Sequence, residues 1–231
     1  MFAAEIIEYS QTNSFSKIVI DYLQTHPQLQ KFYAHFPNVE GIKLAIADKQ
    51  KQVVDRKALV SVLSRQYKTV APSTAVQNNI DALLSNKTFT VTTAHQPNLF
   101  TGPLYFIYKI LHTIKLAEQL SKTITECQFV PVFYMGSEDA DIDELNHFTV
   151  EGKKYEWSTK QKGAVGRMII DDAIIGLIDE LHNQLSVHEF GNEWIDLLKQ
   201  CYRIGSTIQQ ATFEMVNQLF GKWGLMRPGK M

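Results

Sequence analysis

Cysteine is scarce. Only Cys127 and Cys201 occur in 231 residues, far apart and outside any CxxC or Cys/His ligand spacing, so neither a disulfide framework nor a structural zinc site has support. Both thiols are expected to be buried and inert. Long apolar runs are lacking too. The stretch Met1 to Ile7 is broken by Glu5 and has no basic flank, so neither a signal peptide nor a membrane span is expected, and the cytoplasm is the expected location. Nor does one sign of charge dominate: 23 basic residues against 24 acidic ones leave a net charge of -1 and no overall field to draw nucleic acid or an anionic membrane. The phosphate-binding patterns GxGxxG and GxxxxGK[ST] are absent, as are tandem repeats and low-complexity tracts. What is present is 45% hydrophobic and 11% aromatic content, enough to bury a substantial core in one large domain, or one domain with an insertion.

Apolar positions at helical spacing fill the first ninety residues or so. Phe15, Ile18, Val19, Tyr22 and Leu23 fall on one face after a Thr12-Asn13-Ser14 run able to cap a helix. Leu59, Val62 and Leu63 repeat the pattern. Pro72-Ser73 opens a further helix whose Val76, Ile80, Leu83 and Leu84 are expected to face inward, with Asn86-Lys87 ending it. At Thr88 the period changes: Thr88 to Thr93 is β-branched and too short for a core helix, so a buried strand is expected. A polar loop, Ala94 to Gly102, leads through Pro103 into a helix striped by Ile107, Ile110, Leu111, Ile114 and Ala117. Phe129 to Met135 is a second short apolar run and completes a β-α-β unit with parallel strands. Beyond it lie an acidic loop, a hairpin in which Phe148 to Val150 and Lys154 to Trp157 flank Glu151-Gly152-Lys153, and helices near 173–186, 190–202 and 205–220.

Ligands of an open parallel sheet bind outside the carboxyl ends of its strands, so the loops after Thr93 and Met135 face one crevice. The first runs from Ala94 to Pro103 and includes His95, Gln96, Asn98, Thr101 and Gly102. It enters a helix amino terminus suited to a phosphate or carboxylate. On the residues alone it is equally an ordinary connection around a buried His95. The second loop packs five carboxylates, Glu138, Asp139, Asp141, Asp143 and Glu144, into seven positions. That run is either a solvated surface or a place to bind an amine or a metal ion, or to position a hydroxyl. Tyr105, Tyr108 and Lys109 are read as part of the helix core. His112, His182 and His188 are read as structural or exposed, whereas His147, following the acidic loop, stays a candidate.

Several segments together resemble the bacillithiol synthase family: YSQTNSF at 9–15, TVTTAHQ at 90–96, LFTGPLYFIYK at 99–109 and FVPVFYM at 129–135. Ser137-Glu138-Asp139 with Asp141, Asn146-His147-Phe148 and Gly163-Ala164-Val165-Gly166-Arg167 add to the likeness, which runs from about residue 8 to about residue 225. The resemblance implies an α/β fold. It has a Rossmann-like parallel-sheet core, organised as in class I aminoacyl-tRNA synthetases, with an amino-terminal helical region and a helical carboxy-terminal part. Its parts here are a helical scaffold over 1–87, a β-α-β core over 88–146, and a hairpin with a helical insertion over 147–231. The implied activity is a cysteine ligase joining cysteine to the amine of glucosaminyl-malate by an amide bond, with ATP activating the cysteine carboxylate. By the same implication His95, Glu138, Asp139 and Asp141 carry the chemistry, Gln96, Asn98, Thr101 and Gly102 hold nucleotide or substrate, and no metal ligand is assigned.

Two positions depart from the family pattern: Ala94 replaces a glycine, and Ala140 replaces a histidine in the acidic loop. The stretch Met226–Met231 also reads as unlike the family's continuation. Family members are more than twice this length, so later core strands and a carboxy-terminal coiled coil, a dimerisation element in relatives, are expected to be missing. A non-catalytic remnant, or an assembly half that needs the missing portion, is the alternative to a ligase.

Overall fold

The computed structural model describes residues 5–228, apart from the side chain of Thr69. They form two compact units, divided between Val54 and Asp55. Met1 to Ala4 and Gly229 to Met231, on which the readings of the first apolar run and of the final residues partly fall, lie outside the described residues.

In the first unit α1 (Lys17–Leu23) and α2 (Val39–Gln50) flank a 3-10 turn at Pro27–Phe32. Asn38 caps α2, its Oδ1 accepting from the Gly41 N–H at 2.8 Å. Gly41 backs onto Phe36 so closely that a Cβ would lie 1.9 Å from the Phe36 carbonyl oxygen. That contact seats Phe36 against Tyr22 and Tyr33, with ring centroids 5.4 and 6.2 Å away. The expected cap at Thr12–Ser14 is instead a turn, in which the Thr12 hydroxyl donates to the Tyr9 carbonyl and Asn13 takes a φ of 53°. The helix starts after Ser16, whose side chain makes no cap bond.

The second unit begins with α3 (Arg56–Gln66) and α4 (Thr74–Ala82), so these helices belong with the sheet rather than with the residues before them. As expected, Ser73 caps α4, its hydroxyl accepting from the Val76 N–H at 3.2 Å. Leu63, Tyr67, Val76, Ile80 and Leu83 are buried. Leu59, Val62 and Leu84, also expected inward, are exposed, because each helix presents a single narrow stripe to the sheet.

Strand β1 (Thr88–His95) is followed by α5 (Tyr105–Thr123) and then by β2 (Gln128–Met135), which pairs in parallel with β1 from Thr88↔Gln128 to His95↔Met135. The β-α-β expectation holds. A third extended segment joins the far edge of β2: the Met226 N–H donates to the Pro131 carbonyl at 3.0 Å and the Phe133 N–H to the Met226 carbonyl at 2.8 Å, around a parallel bridge Val132↔Met226. One face of β2 packs Val130 and Val132 onto α3 and α4, and the other packs Phe133 and Met135 onto Phe106, Ile110, Val216 and Phe220. A strand apolar on both faces is what a covered parallel sheet demands, and each fully buried side chain of this size contributes roughly 1.5–3 kcal/mol.

The short helix α6 (Ile142–Leu145) leads to a hairpin of β3 (His147–Val150) and β4 (Lys153–Glu156). Its two-residue turn, Glu151-Gly152, has φ of 49° and 81°, the positive pair that a type I′ turn needs. Helices α7 (Asp172–Leu185), α8 (Gly191–Cys201) and α9 (Ile208–Phe220) then close a core around Trp157, Ile174, Ile178, Leu198 and Tyr202. One oxygen, Asp171 Oδ1, accepts both the Trp157 indole N–H at 2.9 Å and the Ile174 N–H that caps α7 at 3.3 Å. Cys201 is fully buried, and desolvation pushes its thiol up to about 12. Cys127 is half-buried rather than buried. Among the described residues no helix is long and apolar enough to cross a membrane.

Candidate functional site

An open cleft lies at the carboxyl ends of β1 and β2, lined by Ala94, His95, Gln96, Tyr134, Gly136, Glu138 and Asp139. Four of the expected site residues, His95, Gln96, Glu138 and Asp139, therefore meet there. His95 is held on both ring nitrogens. Nδ1 lies 3.1 Å from the Gln96 carbonyl and 3.1 Å from the Asn98 amide nitrogen, so a protonated Nδ1 donates to the first and a bare one accepts from the second. Nε2 lies 3.0 Å from the Tyr105 hydroxyl. Desolvation, aided by the charge of Lys109, lowers the His95 pKa below its ordinary value, which makes the ring a neutral hydrogen-bonding group near pH 7. Lys109 Nζ donates to the Ala94 carbonyl at 2.6 Å and so ties α5 to the end of β1.

Gln96 joins the two loops. Its Nε2 donates to Asp139 Oδ2 at 3.0 Å, and Asp139 Oδ1 accepts the Asp141 backbone N–H at 3.0 Å. The Asp141 N–H first, then the Gln96 amide, hold the Asp139 carboxyl below the usual carboxylate range. Asp141 thus supplies its backbone, while its side chain points to solvent from an exposed position.

Asn98, Thr101 and Gly102 are off the lining of the cleft. Asn98 is 3% exposed and holds the His95 ring from behind. Gly102, at a φ of 57°, makes room for it, because a Cβ there would stand 2.7 Å from the Asn98 side chain. Leu99 and Phe100 are buried in the helical core, and the Leu99 N–H donates to the Leu145 carbonyl at 3.1 Å, which pins the loop from below. The acidic loop is pinned likewise. Ser137 is buried against Gly166, where a Cβ would fall 2.7 Å from Ser137, and the Val165 N–H donates to the Asp139 carbonyl at 2.8 Å. The glycine-rich connection at 163–167 is the buttress of this loop.

Three aromatic and basic positions need correction. Tyr105 and Tyr108 are exposed at 52% and 64%, and Lys109 is exposed as well, so they are not core. The buried stripe of α5 is Phe106, Ile110, Thr113, Ile114, Ala117 and Leu120, so Ile110, Ile114 and Ala117 lie inward as expected, while Ile107 is half-buried and Leu111 is exposed. Tyr134 was hidden inside an apolar run; its place between buried Phe133 and Met135 at a strand end is the alternation that marks it as outward-facing. His147 makes a 3.1 Å contact with the Asn146 side chain and does not line the cleft. Among the described residues no group of three or more His, Cys, Asp or Glu is placed to hold a metal ion.

A parallel β-α-β unit whose polar loops converge at the carboxyl end of the sheet defines a Rossmann-like domain. The family model described as "Bacillithiol biosynthesis BshC, N-terminal Rossmann-like domain" matches residues 2–227, and the chain belongs to that family. Met226 and Arg227 fall inside the match, which corrects the reading of these two residues as foreign to it. The chain is similar to proteins named "Putative cysteine ligase BshC". It is 40% identical to that of Flavobacterium psychrophilum, over 96% of this chain and 42% of the relative. With that of Cytophaga hutchinsonii the identity is 40%, over 97% and 41%. With that of Christiangramia forsetii it is 39%, over 95% and 42%. The chain therefore spans about 42% of the length of these curated relatives.

Proposed function

We propose that this chain supplies the crevice wall of a cysteine ligase of bacillithiol assembly, which joins cysteine to the amine of glucosaminyl-malate through an amide bond. The observation that carries the reading is the Gln96–Asp139 bridge, which brings an imidazole and a carboxylate from two different loops into one cleft. The two sides of that cleft differ in character. On one side, neutral His95 lines the cleft, and the Lys109 ammonium, held on the Ala94 carbonyl, adds positive charge near the amino terminus of α5, a setting compatible with phosphate oxygens. On the other side Glu138 and Asp139 suit an amine and sugar hydroxyls, and the exposed ring of Tyr134 offers a flat surface beside them.

ATP, when bound, would supply activation of the cysteine carboxylate. The chain's own contribution is to orient. His95, fixed at Nδ1, holds the Tyr105 hydroxyl through Nε2 and so orients that hydroxyl beside the cleft. Asp139, kept ionised by its two hydrogen bonds, holds the amine-bearing substrate. Cytoplasmic location and a homodimer built through the coiled coil of longer relatives belong to the same reading.

A second reading, an assembly half that works only with the remaining portion, has its own support: among the described residues the outer edge of β1 pairs with no strand. Thermal melting of the chain with ATP, ADP, cysteine and glucosaminyl-malate added separately tests both, because binding to the folded state raises its melting temperature. A saturable shift that Gln96→Ala removes is the expected result. No shift with any of the four, and activity restored by adding the remaining portion of a relative, would leave only the assembly half.

A further inference from the structure

A polar group outside the cleft lacks an ionic partner. Arg227 is 4% exposed at the third strand position, with its guanidinium carbon 4.2 Å from the centroid of the Phe213 ring and its Nη2 donating to Met135 Sδ at 3.5 Å. Its backbone N–H donates to the Tyr67 hydroxyl at 2.9 Å. Its Nε is buried and has no acceptor, and among the described residues no carboxylate acts on its charge. Burial alone brings the guanidinium down to about 9. Tyr67 offers no charge, since desolvation raises its phenol above the ordinary value. A ring face and a thioether return less than the hydration this cation gives up, and only an anion restores the balance.

The position of Arg227 is equally informative. Met135, the thioether that touches it, is the register partner of His95 at the carboxyl end of the sheet. Strands are spaced by about 4.8 Å, so Arg227 belongs to a row about 10 Å from β1 at the end where ligands of such sheets bind.

We propose that Arg227 is a carboxylate-receiving site: its fork, buried and unpaired at Nε, takes a carboxylate in a bidentate pair once the acid is brought against it. The acid comes either from a small molecule arriving at the carboxyl end of the sheet or from a side chain in the portion of the family protein that this chain does not span. The site stands or falls independently of the ligase reading, because it uses none of the cleft residues.

Melting of the chain in acetate against chloride at equal ionic strength is the test, run on the wild type, Arg227→Met and Arg227→Lys. Acetate is expected to raise the wild-type melting temperature above its value in chloride, to do so less in Arg227→Lys, and not at all in Arg227→Met. With no acetate, Arg227→Met, close in volume and uncharged, is expected to melt at least about 2–4 °C above the wild type. An Arg227-dependent shift with cysteine or malate identifies a small-molecule carboxylate; a shift with acetate alone identifies a seat sized for a side chain. Equal wild-type melting in acetate and chloride, or an acetate shift undiminished in Arg227→Met, overturns the site.

Discussion

Gly102→Ala isolates one contact on which the cleft depends. The glycine has a φ of 57°, and an added Cβ would stand 2.7 Å from the Asn98 side chain. A left-handed conformation costs an L-residue about 1–2 kcal/mol wherever it occurs. Gly152 provides the comparison, since its φ is 81° and nothing lies within 4 Å of its Cβ position, so Gly152→Ala measures the backbone cost alone. At Gly102 a second cost arises. Asn98 is buried and cannot retreat without leaving the His95 ring, and overpacking of this kind costs about 1–3 kcal/mol. Gly102→Ala is therefore expected to lose about 2–5 kcal/mol in urea unfolding, against about 1–2 kcal/mol for Gly152→Ala. The His95 imidazole signals should move in the first variant and stay put in the second. Equal losses in the two variants, with His95 unmoved, would refute the claim that Gly102 holds Asn98 against His95.

Other expectations follow from the same geometry. The folded His95 pKa lies below the unfolded value, so the contribution of this residue to stability is complete above about pH 6.5 and is lost as pH falls through the folded value; an NMR titration midpoint at or above 6.5 would contradict the burial that lowers it. Gly166→Ala should displace Ser137 and cost about 1–3 kcal/mol in unfolding, and it should weaken any ligand shift seen in melting, because the acidic loop rests on that contact. Leu99→Ala, which empties a fully buried site beneath the first loop, should cost about 2–5 kcal/mol in urea unfolding. Alkylation should label Cys127 well before Cys201 in the native chain and both at similar rates in denaturant; early labelling of Cys201 would show that its surroundings open.

Much of the central fold is legible in the residues. The shift from helical to extended period at Thr88 marks β1, the apolar run to Met135 marks β2, and Glu151-Gly152 marks the hairpin. Local pattern falls short where a residue's environment is set by distant chain. Leu59, Val62 and Leu84 have the right period and face water, because which side of a helix meets the sheet depends on the sheet's position. The cleft was readable as two converging loops, yet the division of labour within the first was not. Asn98 and Gly102 look like ligand-facing loop residues until packing shows one holding His95 and the other making space for it. Tyr105 and Tyr134 read as apolar because aromatic residues in apolar runs carry no local mark of exposure; only the register of α5 and the alternation of β2 turn them outward. Arg227 carried no signal at all, since a lone arginine becomes unusual only once it is known to be buried.

The shared acceptor at Asp171 has a kinetic meaning. Its Oδ1 serves the Trp157 indole at the exit of the hairpin and the Ile174 amide in the first turn of α7. Neither element is finished without the other, although a loop of more than ten residues separates the indole from the helix it helps to start. The hairpin exit and α7 should accordingly behave as one unit in hydrogen exchange, with the Trp157 indole and the Ile174 amide opening in the same event and at the same denaturant concentration. An observer following either proton would be timing the assembly of both.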